Sequence, residues 1–333
     1  MRSITPARLA AAGLFLLFAA TLILWLAPAN GYDIRLVDPA HPVAPLVVLA
    51  KEKPVRGGGA IYFVDIRERP AHLLERLLPW TRPEGASLVR SPPISTTLER
   101  SIGRQDMTDS QKIAAVVALG QLGYKVKAQF GGVSVLLVQS DAPAAKVLQP
   151  GDVIVAAAGQ KVASVKALRK VLARRRPGDI VTIRYRRGSR TREATLRTVA
   201  DPENPKRAII GVTAEDQLQV KLPFRVMIDT GSIGGPSAGL AFALDILQEL
   251  GRNVAHGRKV AATGELKRDG SVKPIGGVKQ KTLGAREAGV DVFLVPAGGN
   301  TREARRYADG LRIIPVKNFP QALRALATLA PKT

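Results

Sequence analysis

The chain opens on a long apolar run: Leu9 to Ala27 reads LAAAGLFLLFAATLILWLA, nineteen residues without a charge. As a helix this run is about 28 Å long, close to the ~30 Å hydrocarbon core of a bilayer. Arg2 and Arg8 precede it and the first acid is Asp33. The pattern predicts a single-pass transmembrane helix over residues 9–27, with a cytoplasmic tip and the bulk of the chain outside the cell membrane. A cleaved signal peptide is the alternative, because Ala27-Pro28-Ala29 has the A-x-A form, although the run exceeds the ~7–15 residues of such a core.

Beyond the first thirty residues the pattern turns to short runs. Residues 31–123 form a lead-in segment, with strand-like Leu46–Leu49 and Ile61–Ile66, a short helix over Ala71–Leu78 and a Pro/Gly-rich loop over 79–93. No chemistry is visible there. A helix follows over 108–122, opened by a Thr108/Gln111 capping box and carrying Ile113, Val116, Val117 and Leu119 on one face. Gly123 takes the C′ position. It reads as a packing helix.

Composition narrows the chemistry. The 333 residues are 46% apolar, which excludes a disordered chain. There is no cysteine, hence no thiol nucleophile or thiolate metal site, and only His41, His72 and His256 represent histidine. Neither a metal nor a cofactor is expected. The net charge of +23 suits nucleic acid, but a chain outside a membrane rarely meets it, so none is expected as a partner. Twelve Lys and Arg against Asp179 alone fall between Lys161 and Arg192; such a run is ordinarily a solvated face and is also suited to anionic head groups.

Residues 124–200 alternate short strands with turns. Val133–Val138, Val153–Ala157, Ile180–Tyr185 and Glu193–Thr198 read as strands, and Ser164 caps a helix whose Val165, Leu168, Val171 and Leu172 share a face. With Asp141-Ala142-Pro143-Ala144-Ala145, Leu148-Gln149-Pro150-Gly151-Asp152-Val153-Ile154, Gly159 and Val162, this stretch resembles a bacterial PDZ domain. The resemblance implies capture of an extended peptide at a sheet edge. Leu122-Gly123-Tyr124 and Gly131-Gly132-Val133 both have glycines suited to the carboxylate-binding loop, and a PDZ fold serving only as spacer or gate is also compatible.

The chemistry concentrates in two segments. In Ile228-Asp229-Thr230-Gly231-Ser232-Ile233-Gly234-Gly235-Pro236-Ser237-Ala238-Gly239-Leu240, a Gly-rich approach ends in Pro236, which suits a first helical turn. The helix after it is apolar nearly all round. Ser237 would thus sit among free N–H groups at a positive dipole end, placed to attack a carbonyl or simply to cap. A phosphate-binding Gly-x4-Gly-Lys-Ser/Thr motif is absent: Lys281-Thr282 follows Gln280. The second segment, Gly270 to Ala285, supplies lysines, with Gly284, Ala285 and Ala288 permitting close packing and Gly289 ending the helix. A lysine acts as a base only when burial lowers its pKa from about 10.4 to about 7–8.

Gly235-Pro236-Ser237-Ala238-Gly239, Thr263-Gly264-Glu265, Val272-Lys273-Pro274-Ile275-Gly276-Gly277-Val278-Lys279-Gln280-Lys281, Ala288-Gly289-Val290 and Leu294-Val295-Pro296 together resemble the proteolytic domain of Lon-type peptidases. The resemblance implies that Ser237 is the nucleophile and Lys281 the general base of a Ser-Lys dyad, with Lys279 exposed and Thr263 orienting the lysine. Gly235, Pro236 and Ala238 come as support. Gly234 stands where Lon proteins often carry an acid, with Asp229 further upstream. The ATPase module of soluble Lon proteins has no counterpart.

The expected architecture is α+β: a tip and transmembrane anchor over 1–30, the lead-in over 31–123, a PDZ-like β-rich domain over 124–200, and a Lon-type α/β proteolytic domain over 206–331. Its order resembles the membrane-anchored PDZ–Lon peptidases of bacteria. This implies an ATP-independent serine endopeptidase acting on unfolded or extended polypeptides, a peptide on the PDZ domain and a homo-oligomer. Two other readings stay open: a non-catalytic PDZ scaffold with an inactive Lon-like domain, and a Ser-His peptidase using His256.

Overall fold

The computed structural model describes residues 6–50 and 58–330, with side chains from Ala10 onward. Arg2, the side chains of Arg8 and Leu9, and residue 331 therefore lie outside the described residues. Helix α1 (Pro6–Leu26) covers the apolar run, and most of its described side chains are exposed. It begins three residues before that run and ends one residue short of it. The chain bends at Ala27 and enters a strand at Pro28, and among the described residues no helix is long and apolar enough to cross a membrane. The expected transmembrane helix is not found.

The lead-in is not a separate piece. Its first half builds a three-stranded antiparallel sheet from Arg67–His72, Pro28–Leu36 and Ser87–Arg90, with the short helix α2 (Leu73–Leu77) at one end. The strand Ala60–Phe63 leaves this unit and pairs in parallel with Lys259–Ala262, two hundred residues away in sequence. It thereby joins a five-stranded sheet completed by His41–Pro42, Val292–Pro296 and Arg312–Val316. Val47–Leu49 pairs antiparallel with Val226–Ile228 in a separate two-stranded sheet.

Helix α3 spans Thr96–Gln121, beginning twelve residues, more than three turns, before the start that the sequence pattern indicates. Ser95 is its N-cap, accepting from the Leu98 N–H at 3.3 Å. The expected capping box at Thr108 does not form; that hydroxyl donates back to Arg104 O within the helix. The C-terminal end is as expected, with Gly123 at φ +82° and Tyr124 N–H closing on Leu119 O.

The PDZ-like body follows. Its sheet runs Arg190–Arg197, Ile180–Arg187, Val153–Ala157, Lys127–Val138 and Val212–Lys221, with helix α4 (Val165–Leu172) capped by Ser164 as expected. Its core is its own, built on Ile154, Ile183, Leu196 and Ile210. The second core is larger and contains Ile61 and Phe63 from the lead-in, Ala114 and Ala118 from α3, and the whole of helix α5 (Gly239–Glu249). The PDZ-like body is thus inserted between two parts of the chain that build the larger core. Helices α6 (Val278–Glu287), α7 (Gly299–Arg306) and α8 (Phe319–Ala327) complete it.

Helix α5 buries residues on every face, including Asp245, which is 1% exposed and has no partner on either oxygen. Burial, reinforced by Glu249, pushes its carboxyl up to about 8. Unfolded, the same group titrates near 3.8. Between these values the folded chain holds the extra proton, so this group's contribution to stability falls as pH rises through that window. Asp245→Asn removes the slope. Thermal melts should show the variant gaining on the parent from about pH 4 upward, with the largest advantage near pH 8; equal differences at both pH values would refute the assignment.

Candidate active site

Ser237 and Lys281 lie 44 positions apart in sequence and meet directly: Lys281 Nζ donates to Ser237 Oγ at 2.8 Å. Ser237 is half-buried, while Lys281 is 4% exposed. Burial is the main force on the lysine, assisted by Arg35, and brings its pKa down to about 8 against the opposing pull of Asp65 and Glu68. A primary amine near 8 is partly neutral at physiological pH and can accept a proton.

The loop that presents Ser237 is built differently from the expectation. Helix α5 starts at Gly239, so Pro236 is not a first-turn residue and Ser237 stands in a turn ahead of the helix. The first α5 bond runs from Phe242 N–H to Ala238 O, at 3.0 Å. Gly235 adopts φ +91°, a conformation that favours glycine, and its N–H donates to Gly103 O of α3 at 2.8 Å. Ser110, also on α3, donates to Pro236 O at 3.2 Å. A Cβ on Gly234 would lie 3.2–3.3 Å from the Gly103 backbone, so the two glycines let loop and helix touch. Helix α3 is therefore a brace for the Ser237 loop, a role beyond that of a packing helix.

Thr263 is fully buried, but it does not orient Lys281. Its hydroxyl donates to Ser237 O at 3.2 Å, beside the Gly264 N–H on the same oxygen at 2.8 Å. It fixes the backbone of the nucleophile instead. Asp229 accepts from the Gly231 N–H and shapes the turn upstream. Lys279 is not exposed as expected: it is half-buried, reaching Ala86 O at 3.3 Å and the Tyr307 ring. His256 sits in a turn with its N–H on Asn253 Oδ1, and Ser237 is served by Lys281.

Helix α6 is clamped by the lead-in, where the sequence shows no chemistry. Gln280 donates to Gly85 O and Ser87 Oγ, both at 2.8 Å, and the Ala40 N–H donates to Gly284 O at 3.0 Å. A Cβ at Gly284 would stand 1.9 Å from Asp38 O. Gly284→Ala should therefore push α6 off its seat, lowering stability by about 3 kcal/mol and cleavage with it; an unchanged melting temperature would refute the clamp. Asp38, His41 and Asp65 converge nearby, each offering one atom within 4.8 Å of the others. Arg67 already meets Asp38 at 3.0 Å, and we assign no metal there.

A concavity of about 560 Å³ lies in the PDZ-like body between α4 and the segment Ile209–Ala214. Leu168, Leu172, Ile210 and Val212 line it, with Arg169 at its edge. Neither glycine pair singled out in the sequence borders it. Gly132 admits the neighbouring Val153 strand, Gly131 admits the Gln219 side chain, and Tyr124 packs edge-on against Phe224.

Comparison with known proteins agrees with both bodies. Residues 120–198 match the PDZ domain family profile, and residues 213–328 match that of the Lon protease (S16) C-terminal proteolytic domain. Over residues 213–328 the chain is similar to the Lon protease (S16) C-terminal proteolytic domain. Lon protease 2 of Bacillus subtilis is 36% identical over 99 residues, 30% of this chain and 18% of that protein. Lon protease 1 of Myxococcus xanthus is 38% identical over 99 residues, covering 28% and 12%. This chain thus spans less than a fifth of the length of either relative. The PDZ domain of the SdrC-like protein of Listeria monocytogenes is 31% identical, covering 26% of this chain and 92% of that one at a TM-score of 0.25.

Proposed function

We propose that the chain is an ATP-independent serine endopeptidase that hydrolyses unfolded or extended polypeptides with Ser237 and Lys281. The observation that carries this reading is the 2.8 Å contact between a buried, proton-accepting amine and a serine hydroxyl. Neutral Lys281 takes the Ser237 proton as Oγ attacks the scissile carbonyl, and returns it to the leaving amine; water then releases the acyl group by the same route. Backbone N–H groups at the entrance to α5, where the helix dipole is positive, stabilise the oxyanion. A dead scaffold would need Ser237 and Lys281 held apart, and they are in hydrogen-bond contact.

The PDZ groove binds an extended peptide in this reading, and a mechanical path supports gating. The strand Val212–Lys221 forms one wall of the groove and leads within a few residues to Val226–Ile228 and the Ser237 loop. Lys112 of α3, the helix that braces this loop, donates to Leu218 O on the same strand at 2.9 Å. The apolar side chains exposed along α1 support a lipid tether, and the basic residues Arg2 and Arg8 ahead of the apolar run favour the bulk of the chain on the outer face of the cell membrane. Family resemblance adds a homo-oligomer, which light scattering of the detergent-purified full chain tests.

The deciding experiment incubates the full chain with a denatured test protein, without nucleotide, and follows fragments by mass spectrometry. Cleavage is expected at the same rate with and without ATP. A strict requirement for nucleotide, or no fragments at all, would overturn the reading.

A further inference from the structure

Trp80 is more exposed than any other large apolar side chain described, at 77%, and its neighbour Leu77 is 58% exposed. Both lie on one corner, formed by α2 and the single turn Pro79–Thr81 that follows it. This corner is held rigidly from beneath. Leu74 and Glu75 are buried, Arg69 pairs with Glu75 at 2.6 Å, and Arg82 donates to Glu75 O at 2.7 Å. Thr81 closes the turn on Leu78 O at 2.7 Å. With its polar groups tied inward, the corner presents Leu77 and Trp80 outward.

The corner is continuous with the foot of α1. The Leu73 N–H, which opens α2, donates to Ala27 O at 2.9 Å, and Trp25 of α1 stacks on His72 with ring centroids 5.6 Å apart. Exposed Leu22, Ile23, Trp25 and Leu26 thus lead to Leu77 and Trp80 across one short junction. Arg76, held over the Tyr32 ring, and Arg82 supply positive charge at the rim. An exposed tryptophan beside aliphatic and basic side chains suits the layer between head groups and acyl chains, where one end of the ring is apolar and the other wet. Arginines at that level are drawn to anionic head groups.

We propose that the Leu77–Trp80 corner seats in the head-group layer of the bilayer to which the apolar side chains of α1 tether the chain, fixing the orientation of the domain on the membrane. This inference rests on the lipid tether proposed above. Its consequence is that the small sheet which clamps α6 faces the lipid, so the base-bearing helix belongs to the membrane-side module.

Trp25 and Trp80 are the chain's two tryptophans, so each can be read alone. The full-length Trp25→Phe and Trp80→Phe variants are reconstituted into vesicles of phosphatidylcholine and phosphatidylglycerol whose acyl chains carry bromine, either near the head groups or near the chain ends. In Trp25→Phe, Trp80 emission should shift to the blue and be quenched mainly by the shallow bromines. Full Trp80 emission in both lipids, while Trp25 is quenched in the partner variant, would overturn the corner's docking and leave the tether intact. If neither tryptophan is quenched, the tether and the docking fall together.

Discussion

Ser237→Ala should leave a folded chain that no longer cleaves polypeptide, with turnover reduced by roughly 10⁴-fold or more. Lys281→Met should do the same for a different reason. It keeps the length and apolar stem of the buried side chain but removes the amine that touches Ser237 Oγ. Because nucleophile and base act as one unit, the double variant should be no worse than either single one. Lys281→Arg is the sharper control: a guanidinium stays protonated at any working pH and cannot accept the Ser237 proton, so charge is preserved and activity is not. The melting temperatures separate catalysis from folding. Bringing the amine from 10.5 to about 8 reflects a burden of about 3 kcal/mol on the folded state at neutral pH. Lys281→Met relieves it, so this inactive variant should melt higher than the parent at pH 7. Residual cleavage in Ser237→Ala, or an active Lys281→Arg, would remove the dyad from the mechanism.

How much of this site is legible in the sequence depends on the range of the interactions. Ser237 and Lys281 stand in compact motifs, and their meeting follows from a resemblance rather than from spacing. The brace beneath Ser237 is not legible, because it joins Ser110 to Pro236 across 126 positions. The start of α3 is hidden by its composition: Arg100, Gly103, Arg104, Gln105 and Asp106 interrupt the apolar periodicity, yet Gly103 is the residue that allows contact with the loop. Short runs such as Ile61–Ile66 mark a strand but not its partner, so the parallel pairing with Lys259–Ala262 and the insertion of the PDZ-like body emerge only in three dimensions. Thr263 illustrates a subtler limit. Its proximity to the dyad is correctly anticipated, but rotation of one hydroxyl decides that it serves the Ser237 carbonyl and not the lysine. The charges that bear on Lys281, from Arg35, Asp65 and Glu68, come from a segment with no catalytic motif.

The pH dependence of cleavage should then rise through the titration of Lys281. Only the neutral amine can take the Ser237 proton, so below about pH 8 the rate should fall tenfold per pH unit and level off above it. From pH 8 to pH 6 that is roughly a hundredfold loss. The stability of the fold carries the same signature with its own sign. In the unfolded chain Lys281 titrates at its ordinary 10.5, so between about 8 and 10.5 the unfolded state binds the extra proton. Stability should therefore increase with pH through this window relative to Lys281→Met, in which the slope is absent. Below pH 8 both states hold the proton and the difference between the two proteins should be flat. Asp245 does not confuse the comparison, since its contribution changes below about 8 and is shared by both proteins. The two curves can be measured on one preparation, as initial cleavage rates and as thermal melts from pH 6 to 10. A rate that is flat across pH 6–8 would mean that a different group accepts the serine proton, whatever the distance between Ser237 and Lys281.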